Sequence, residues 1–318
     1  NQAKNVFRTF KIWDKYIESL VAIADCHSVK GEIKLSTDLL DSAIWEAKKY
    51  LPNNSLVYWE IYFTKGEFFQ NFDELDSAKI YFEKAREIIT PTNRWEDYIW
   101  TEISLSICYY YLNDFPAMGK ALDSALIVVN SKLPQNEGIL DFIYSNQAAL
   151  YNQTGDFEKS IKTGKKALEL RLEIGLHTHN DSLSLADSYQ NLAVFNKNKG
   201  ELNLALKQYF LALEYYLQLK ADNLSIANLY FNIGALYEKE SSADSAISYY
   251  NKSLQTLNKD NKKLYKKQKT QLYIRAYNQL ARRYLHKNQF DSVQHYLKLA
   301  LPSTSGHWVL TSARKLLV

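Results

Sequence analysis

Proline and glycine are scarce in this chain of 318 residues, with only five and ten respectively. A β-rich fold needs many tight turns built on those two residues, so their scarcity points to a chain that is mostly helix. Cysteine is scarcer still, with Cys26 and Cys108 alone. Two cysteines build neither a disulfide framework nor a four-cysteine zinc site, and they say little about compartment. No apolar run reaches the roughly 18 residues a membrane span needs, and the opening NQAKNVFRTF lacks an apolar signal core. The chain as it stands is therefore expected neither to span a membrane nor to carry an export signal. A cytoplasmic location is the favoured reading, with the periplasm left open if an export signal has been removed. Strong charge of one sign is also missing. A formal net charge of +4 over this length does not by itself predict nucleic-acid or membrane binding.

Enzymatic constellations are missing too. There is no P-loop, no G-x-S-x-G, no H-E-x-x-H and no glycine-rich turn following a strand. His177 and His179 in GLHTHND resemble a pair of metal ligands, but no third ligand at fixed spacing accompanies them, and a loop between repeats explains them equally well. No cation close in sequence marks Cys26 or Cys108 as a lowered-pKa nucleophile, so both are expected to be buried structural thiols. No catalytic residue, cofactor or metal ligand is expected, and the fragment is read as a non-enzyme.

What is present in abundance is tyrosine, 24 residues, and it recurs in register. In ADSYQNLAVFNKNKGELNLALKQYFLALEY, Tyr189, Leu192 and Ala193 precede a turn at Gly200, after which Ala205, Tyr209 and Ala212 follow at spacings of four and three. This is the pattern of a helix, a tight turn and a second helix with one apolar stripe. The pattern returns in ANLYFNIGALYEKESSADSAISYYNKSL with Tyr230, Ile233, Gly234, Tyr237, Ala246, Tyr250 and Leu254. Upstream copies begin near Ile17, Trp59, Ile99 and Asp141, and the last begins at Ile274, giving seven copies 40 to 47 residues apart. A small residue in each helix lets the two helices approach closely, and larger apolar residues fill the gaps. No hairpin buries its apolar face alone, so neighbours must stack.

This pattern resembles the tetratricopeptide repeat family, and SYQNLA (188–193) and LYFNIG (229–234) resemble its longer, kinesin-light-chain-like subtype. HEAT and armadillo repeats share the period but lack the pairing of an aromatic-x-x-Leu-Gly/Ala helix with an Ala-x-x-x-aromatic-x-x-Ala helix. The resemblance implies an all-α, right-handed superhelical solenoid of about seven hairpins over residues 1–302. Residues 303–318 would start a further helix or a link to a missing C-terminal domain. The chain begins without Met and stops at ARKLLV inside an apparent helix, so it is read as a piece of a longer protein. Three copies depart from the pattern: His27 replaces the usual aromatic in the first, Ser106 occupies the small-residue site in the third, and Gly164 stands where Phe or Tyr packs in the fourth. Insertions before the fifth and seventh copies are expected to lengthen helices or the loops between repeats.

The resemblance further implies that the first helix of every repeat lines a concave binding face. Its sixth position reads Asn146, Asn191, Asn232 and Gln279 in four consecutive copies. Amides both donate and accept, so such a ladder suits a peptide backbone, although local bonding to neighbouring helices explains it as well. Other inward positions change character along the chain, from Glu18, Asp25, Glu60 and Glu67, through Trp100, Tyr110 and Phe142, to Lys197, Lys239, Arg275 and Arg282. The expected function is therefore protein–protein interaction. The partner would be a peptide segment or protein, with acidic character favoured by the cations. By resemblance, the chain would be the sensing or recruiting region of a larger regulator such as a CHAT protease, a histidine kinase or a helix-turn-helix protein. A structural or homo-oligomerising scaffold is the alternative. Nucleic acid bound by the run Lys259, Lys262, Lys263, Lys266, Lys267 and Lys269, with Tyr265 and Tyr273 interleaved, is a weaker third reading.

Overall fold

The protein is described by a computed structural model over residues 2–133, 136–175, 179–259 and 266–300. The expected element at 303–318 lies outside these residues. The described residues form fifteen α-helices and no strand. After the short α1 (Gln2–Thr9), most consecutive helices pack as hairpins: α2 (Trp13–Val29) with α3 (Ile33–Tyr50), α4 (Val57–Asn71) with α5 (Leu75–Ile89), and α6 (Trp95–Tyr111) with α7 (Phe115–Lys132). Next in the chain come α8 (Glu137–Gln153) and α9 (Phe157–Ile174), after which α10 (His179–Lys199) packs with α11 (Leu202–Gln218), α12 (Asn223–Lys239) with α13 (Ala243–Asn258), and α14 (Lys266–His286) with α15 (Phe290–Ala300). The two insertions fall partly in helix, because α10 and α14 run to 21 residues where the other first helices have 15 to 17.

Each turn inside a copy has the same construction. One residue takes a left-handed backbone: Gly31, Asp73, Asn113, Gly155, Gly200, Ser241 or Asn288, with φ between 58° and 99°. The amide that follows bonds back to a carbonyl five residues earlier, as in Glu74 to Phe69, Glu201 to Asn196 and Ser242 to Tyr237, each at 2.8–2.9 Å. This closure satisfies carbonyls that a helix end leaves orphaned. Glycine tolerates the conformation at no steric cost, and Asn and Asp tolerate it better than other residues, which accounts for most of the residues found there.

The packing frame also repeats. The small position of the first helix is buried in every copy, as Ala24, Gly66, Ser106, Ala148, Ala193, Gly234 and Ala281. At the matching position of the second helix stand Leu40, Phe82, Leu122, Gly164, Tyr209, Tyr250 and Leu297, again all buried. A β-carbon added at Gly66 would lie 2.6 Å from the Phe82 ring, and one at Gly234 would lie 2.9 Å from the Tyr250 ring, so these aromatics seat directly on bare backbone. Rings stack face to face across three hairpins: Phe69 on Tyr81 at 5.4 Å, Tyr237 on Tyr249 at 5.5 Å and Tyr284 on Tyr296 at 5.5 Å. The repeated tyrosines are thus largely packing groups, and offset aromatic pairs add specificity to the area they bury.

The chain divides into two compact units after Asp156. The division falls inside the fourth copy, whose second helix carries Gly164 in place of the aromatic. Gly164 presents bare backbone to α10 instead, where Leu192 and Phe195 approach the position its β-carbon would take to 3.1 Å.

Candidate functional site

Within the first unit, the first helices α2, α4, α6 and α8 line a cleft of about 500 Å³. Residues 59, 63, 67 and 70 share one face of α4 because their spacings of four, four and three follow the helical period. That face contributes Trp59, Phe63, Glu67 and Gln70, while α6 adds Trp100, Ile103, Ser104 and Ile107, α2 adds Asp25, and α8 adds Phe142. The aromatic wall is braced from behind. Trp59 lies along Phe63 at 5.1 Å, its indole N–H donates to Thr101 Oγ1 at 3.0 Å, and Phe63 meets Phe82 edge-on at 5.4 Å. Trp100 and Phe142 meet edge to face at 5.1 Å, yet Phe142 keeps 40% of its surface exposed.

The acids of this face act on one another. Burial, and after it the charge of Asp25, pushes the Glu67 carboxyl up to about 7, although the side chain still reaches solvent. Burial followed by Glu18 raises Glu60 in the same direction. Of the expected site residues in this unit, Trp100 and Phe142 line the cleft. Tyr110 instead accepts a bond from Gln153 Nε2 at 2.7 Å, and Asn146 donates to the Phe142 carbonyl of its own helix at 2.9 Å. The local alternative for the amide ladder therefore applies at Asn146. Trp59, Phe63 and Gln70 were not singled out from sequence. Their signal was the helical spacing from Glu67, masked by the resemblance of Trp59 and Phe63 to ordinary core aromatics.

The second unit brings Lys239 of α12 and Arg275 of α14 close enough to act on Lys197 of α10. Burial first, then the charges of Lys239 and Arg275, hold Lys197 below the usual lysine range. Partial burial also lowers Arg275, whose side chain still reaches solvent and whose guanidinium lies 4.3 Å from the centre of the Phe231 ring. Arg282 is exposed and is not among the charges acting on Lys197. Its neighbour Arg283 pairs with Glu238 at 2.7 Å. In the amide ladder Asn191 is exposed, Asn232 is half-buried, and the Gln279 carbonyl oxygen is enclosed with no hydrogen-bond partner among the described residues.

One thiol differs from expectation. Cys108 is buried, and desolvation pushes it up to about 12, whereas Cys26 is exposed. The reason is register: on α2 the buried stripe runs through Leu20, Val21, Ala24 and Ser28, and Cys26 falls on its outer side. His177 lies outside the described residues, as do Lys262, Lys263 and Tyr265. Lys269, the last lysine of the basic run, is buried on the packed face of α14, and Tyr273 donates to Asn258 at 2.8 Å. Among the described residues no helix is long and apolar enough to cross a membrane.

These features define an all-helical array of hairpins whose first helices carry polar and aromatic groups that packing does not require. Three of the copies are tetratricopeptide repeats: the family model of that name matches residues 60–89, 143–173 and 227–256, which fall on α4–α5, α8–α9 and α12–α13. That model describes the repeat in general and does not distinguish the kinesin-light-chain-like subtype. No curated protein sequence matches the chain. Similar solved structures include a tetratricopeptide repeat protein from Parabacteroides merdae, 17% identical with a TM-score of 0.60, covering 94% of this chain and 98% of that one. A Rap protein complexed with competence and sporulation factor is 13% identical with a TM-score of 0.66, covering 96% and 88%. NprR in complex with its cognate peptide NprX is 17% identical with a TM-score of 0.64, covering 92% and 78%. At such identities the likeness concerns the fold.

Proposed function

We propose that this chain is a protein-interaction module that docks an extended segment of a partner along its first helices, and that an anionic group of the partner sits on Lys197, Lys239 and Arg275. The observation that carries the reading is the depression of Lys197 by burial and by two neighbouring cations. Three cations gathered without a carboxylate partner among the described residues leave a field that a carboxylate-bearing ligand would neutralise. Asn191, Asn232 and Gln279 lie on the same three helices and would hold the partner's main chain. The Rap and NprR structures, each described with a bound factor or peptide, support a peptide as the kind of partner. Such a module would serve as the recruiting or sensing region of a larger regulator, with a CHAT protease, a histidine kinase or a helix-turn-helix domain as candidate effectors.

A scaffold reading is favoured by apolar groups left open on second helices, notably Trp45 at 59% and Ile127 at 67% exposure. Capture of partners from the source organism's lysate separates the two readings. Proteins held by the wild type should be lost from Lys239→Glu/Arg275→Glu and kept by Trp45→Ala/Ile127→Ser. The reverse pattern would replace the docking reading with the scaffold.

A further inference from the structure

The proposed function assigns the cationic face of the second unit and leaves the cleft of the first unit without a role. Its walls combine two chemistries that seldom occur together by accident. Trp59, Phe63, Trp100 and Phe142 supply aromatic surface, and Asp25 and Glu67 supply two carboxylates. Glu67 lies one turn beyond Phe63 on the same face of α4, about 6 Å along the axis. Among the described residues no lysine or arginine lines the cleft. The guanidinium of Arg94 rests 5.2 Å from the Trp59 ring centre and is ion-paired with Asp97. The chain thus already lays one guanidinium on a wall residue of the cleft, without using it to neutralise Asp25 or Glu67.

We propose that this cleft receives an arginine side chain of the partner, its stem along Phe63, Trp100 and Phe142 and its guanidinium on Asp25 and Glu67. This rests on reading the first-helix faces as the docking surface, and it names what the first unit recognises. Charge complementarity excludes an acidic group, because two carboxylates already repel each other there. A purely apolar group would strip water from both acids with nothing in return. A metal ion would find only these two carboxylates, with no histidine or cysteine among the lining residues. Guanidinium fits best because it is planar, stacks on aromatic rings, is weakly hydrated and offers a fork of donors to carboxylate oxygens. Gln70 and Ser104 stand in the same cleft to accept the remaining donors. The upward push on Glu67 agrees with this: an arriving cation relieves the repulsion from Asp25 that helps cause it.

The test uses the whole chain labelled with 5-fluorotryptophan and followed by ¹⁹F NMR, the Trp59 and Trp100 signals being assigned from Trp59→Phe and Trp100→Phe. Capped arginine amide is titrated against capped citrulline amide, which keeps the shape without the charge, and against capped lysine amide. Arginine should shift the Trp59 and Trp100 signals saturably, leave the exposed Trp45 signal in place, and bind about tenfold more tightly than citrulline or lysine. Asp25→Asn/Glu67→Gln, with its helical signal and Trp45 resonance unchanged, should lose about tenfold of that affinity. Equal binding of citrulline would overturn the proposal, equal binding of lysine would overturn the guanidinium assignment, and full retention by the double variant would remove the carboxylates from the site. Silent tryptophans together with partner capture that still depends on Lys239 and Arg275 would sink this inference alone. Responsive tryptophans with capture indifferent to both cations would sink the broader docking reading and leave the arginine cleft standing.

Discussion

The two units set different surfaces on the same frame. In the first, the first-helix residues that packing does not require are Glu18, Asp25, Glu60, Glu67, Trp100 and Phe142, and Glu60 and Glu67 are pushed toward the neutral form. In the second they include Lys197, Lys239, Arg275 and the amides Asn191 and Asn232, and Lys197 is pushed the opposite way. The buried positions scarcely differ: Gly66 against Phe82 in one unit repeats as Gly234 against Tyr250 in the other. What packs is constrained by the need to close a hairpin, whereas what packing does not require is free to vary in charge. Recognition can then be tuned along the array without touching its stability.

The harshest way to probe this separation is to remove a clamp. Phe82→Ala empties a fully buried site and should cost about 3–5 kcal/mol. Hydrogen exchange should quicken in α4 to α6 and stay unchanged in α12 and α13, because repeat arrays are held by neighbour contacts. Loss of protection throughout would show that the halves are energetically one. A finer comparison sets Gly66→Ala and Gly234→Ala against Gly119→Ala. The first two drive a β-carbon into an aromatic ring, and each should lose about 1 kcal/mol after the helix-propensity gain is counted. At Gly119 the nearest atom is Leu150 Cδ2 at an ordinary 3.5 Å, so alanine there should stabilise by about 0.5–1 kcal/mol, as read by urea midpoint.

The smallest effect concerns Glu67, and its sign follows from the direction of its shift. A carboxyl held at about 7 in the folded chain and near the usual range in the unfolded one contributes stability that is fully present below the unfolded value and lost as pH rises through the folded value. Glu67→Gln should therefore match the wild type near the acid end and exceed it in thermal stability on the alkaline side. The difference should be at most about 1 kcal/mol, because the side chain still reaches water. A wild type that gains on the variant as pH rises would mean that Glu67 already has a cationic partner within the chain.

Much of the fold was legible because hairpin closure demands specific residues at fixed spacings. The seven repeat starts, the turn at Gly200, the small-residue sites and most of the aromatic seats could be read by position alone, including the exception at Gly164, which lies in the copy where the chain divides. The site was less legible. Asp25, Glu67, Trp100 and Phe142 were picked out as inward-facing, but Trp59 and Phe63 look like core residues until their exposed edges are seen to line a cleft. Tyr110 and Asn146 shared the inward register yet spend hydrogen bonds on Gln153 and on a helix carbonyl. Cys26 differs from Cys108 by its place relative to the buried stripe, which counting along one imperfect copy did not resolve.

By itself the sequence determined the helices, the turns that join them and the residues that seat one helix on the next, because these follow from local backbone conformation and from the size of side chains at fixed spacing. Only the tertiary structure decided that Asp25 on α2 would act on Glu67 of α4, that four aromatics would leave a cleft beside them, and that Lys197, Lys239 and Arg275 would meet from three different helices. Those proximities depend on how successive hairpins stack, and stacking sums small packing choices over residues far apart in the chain.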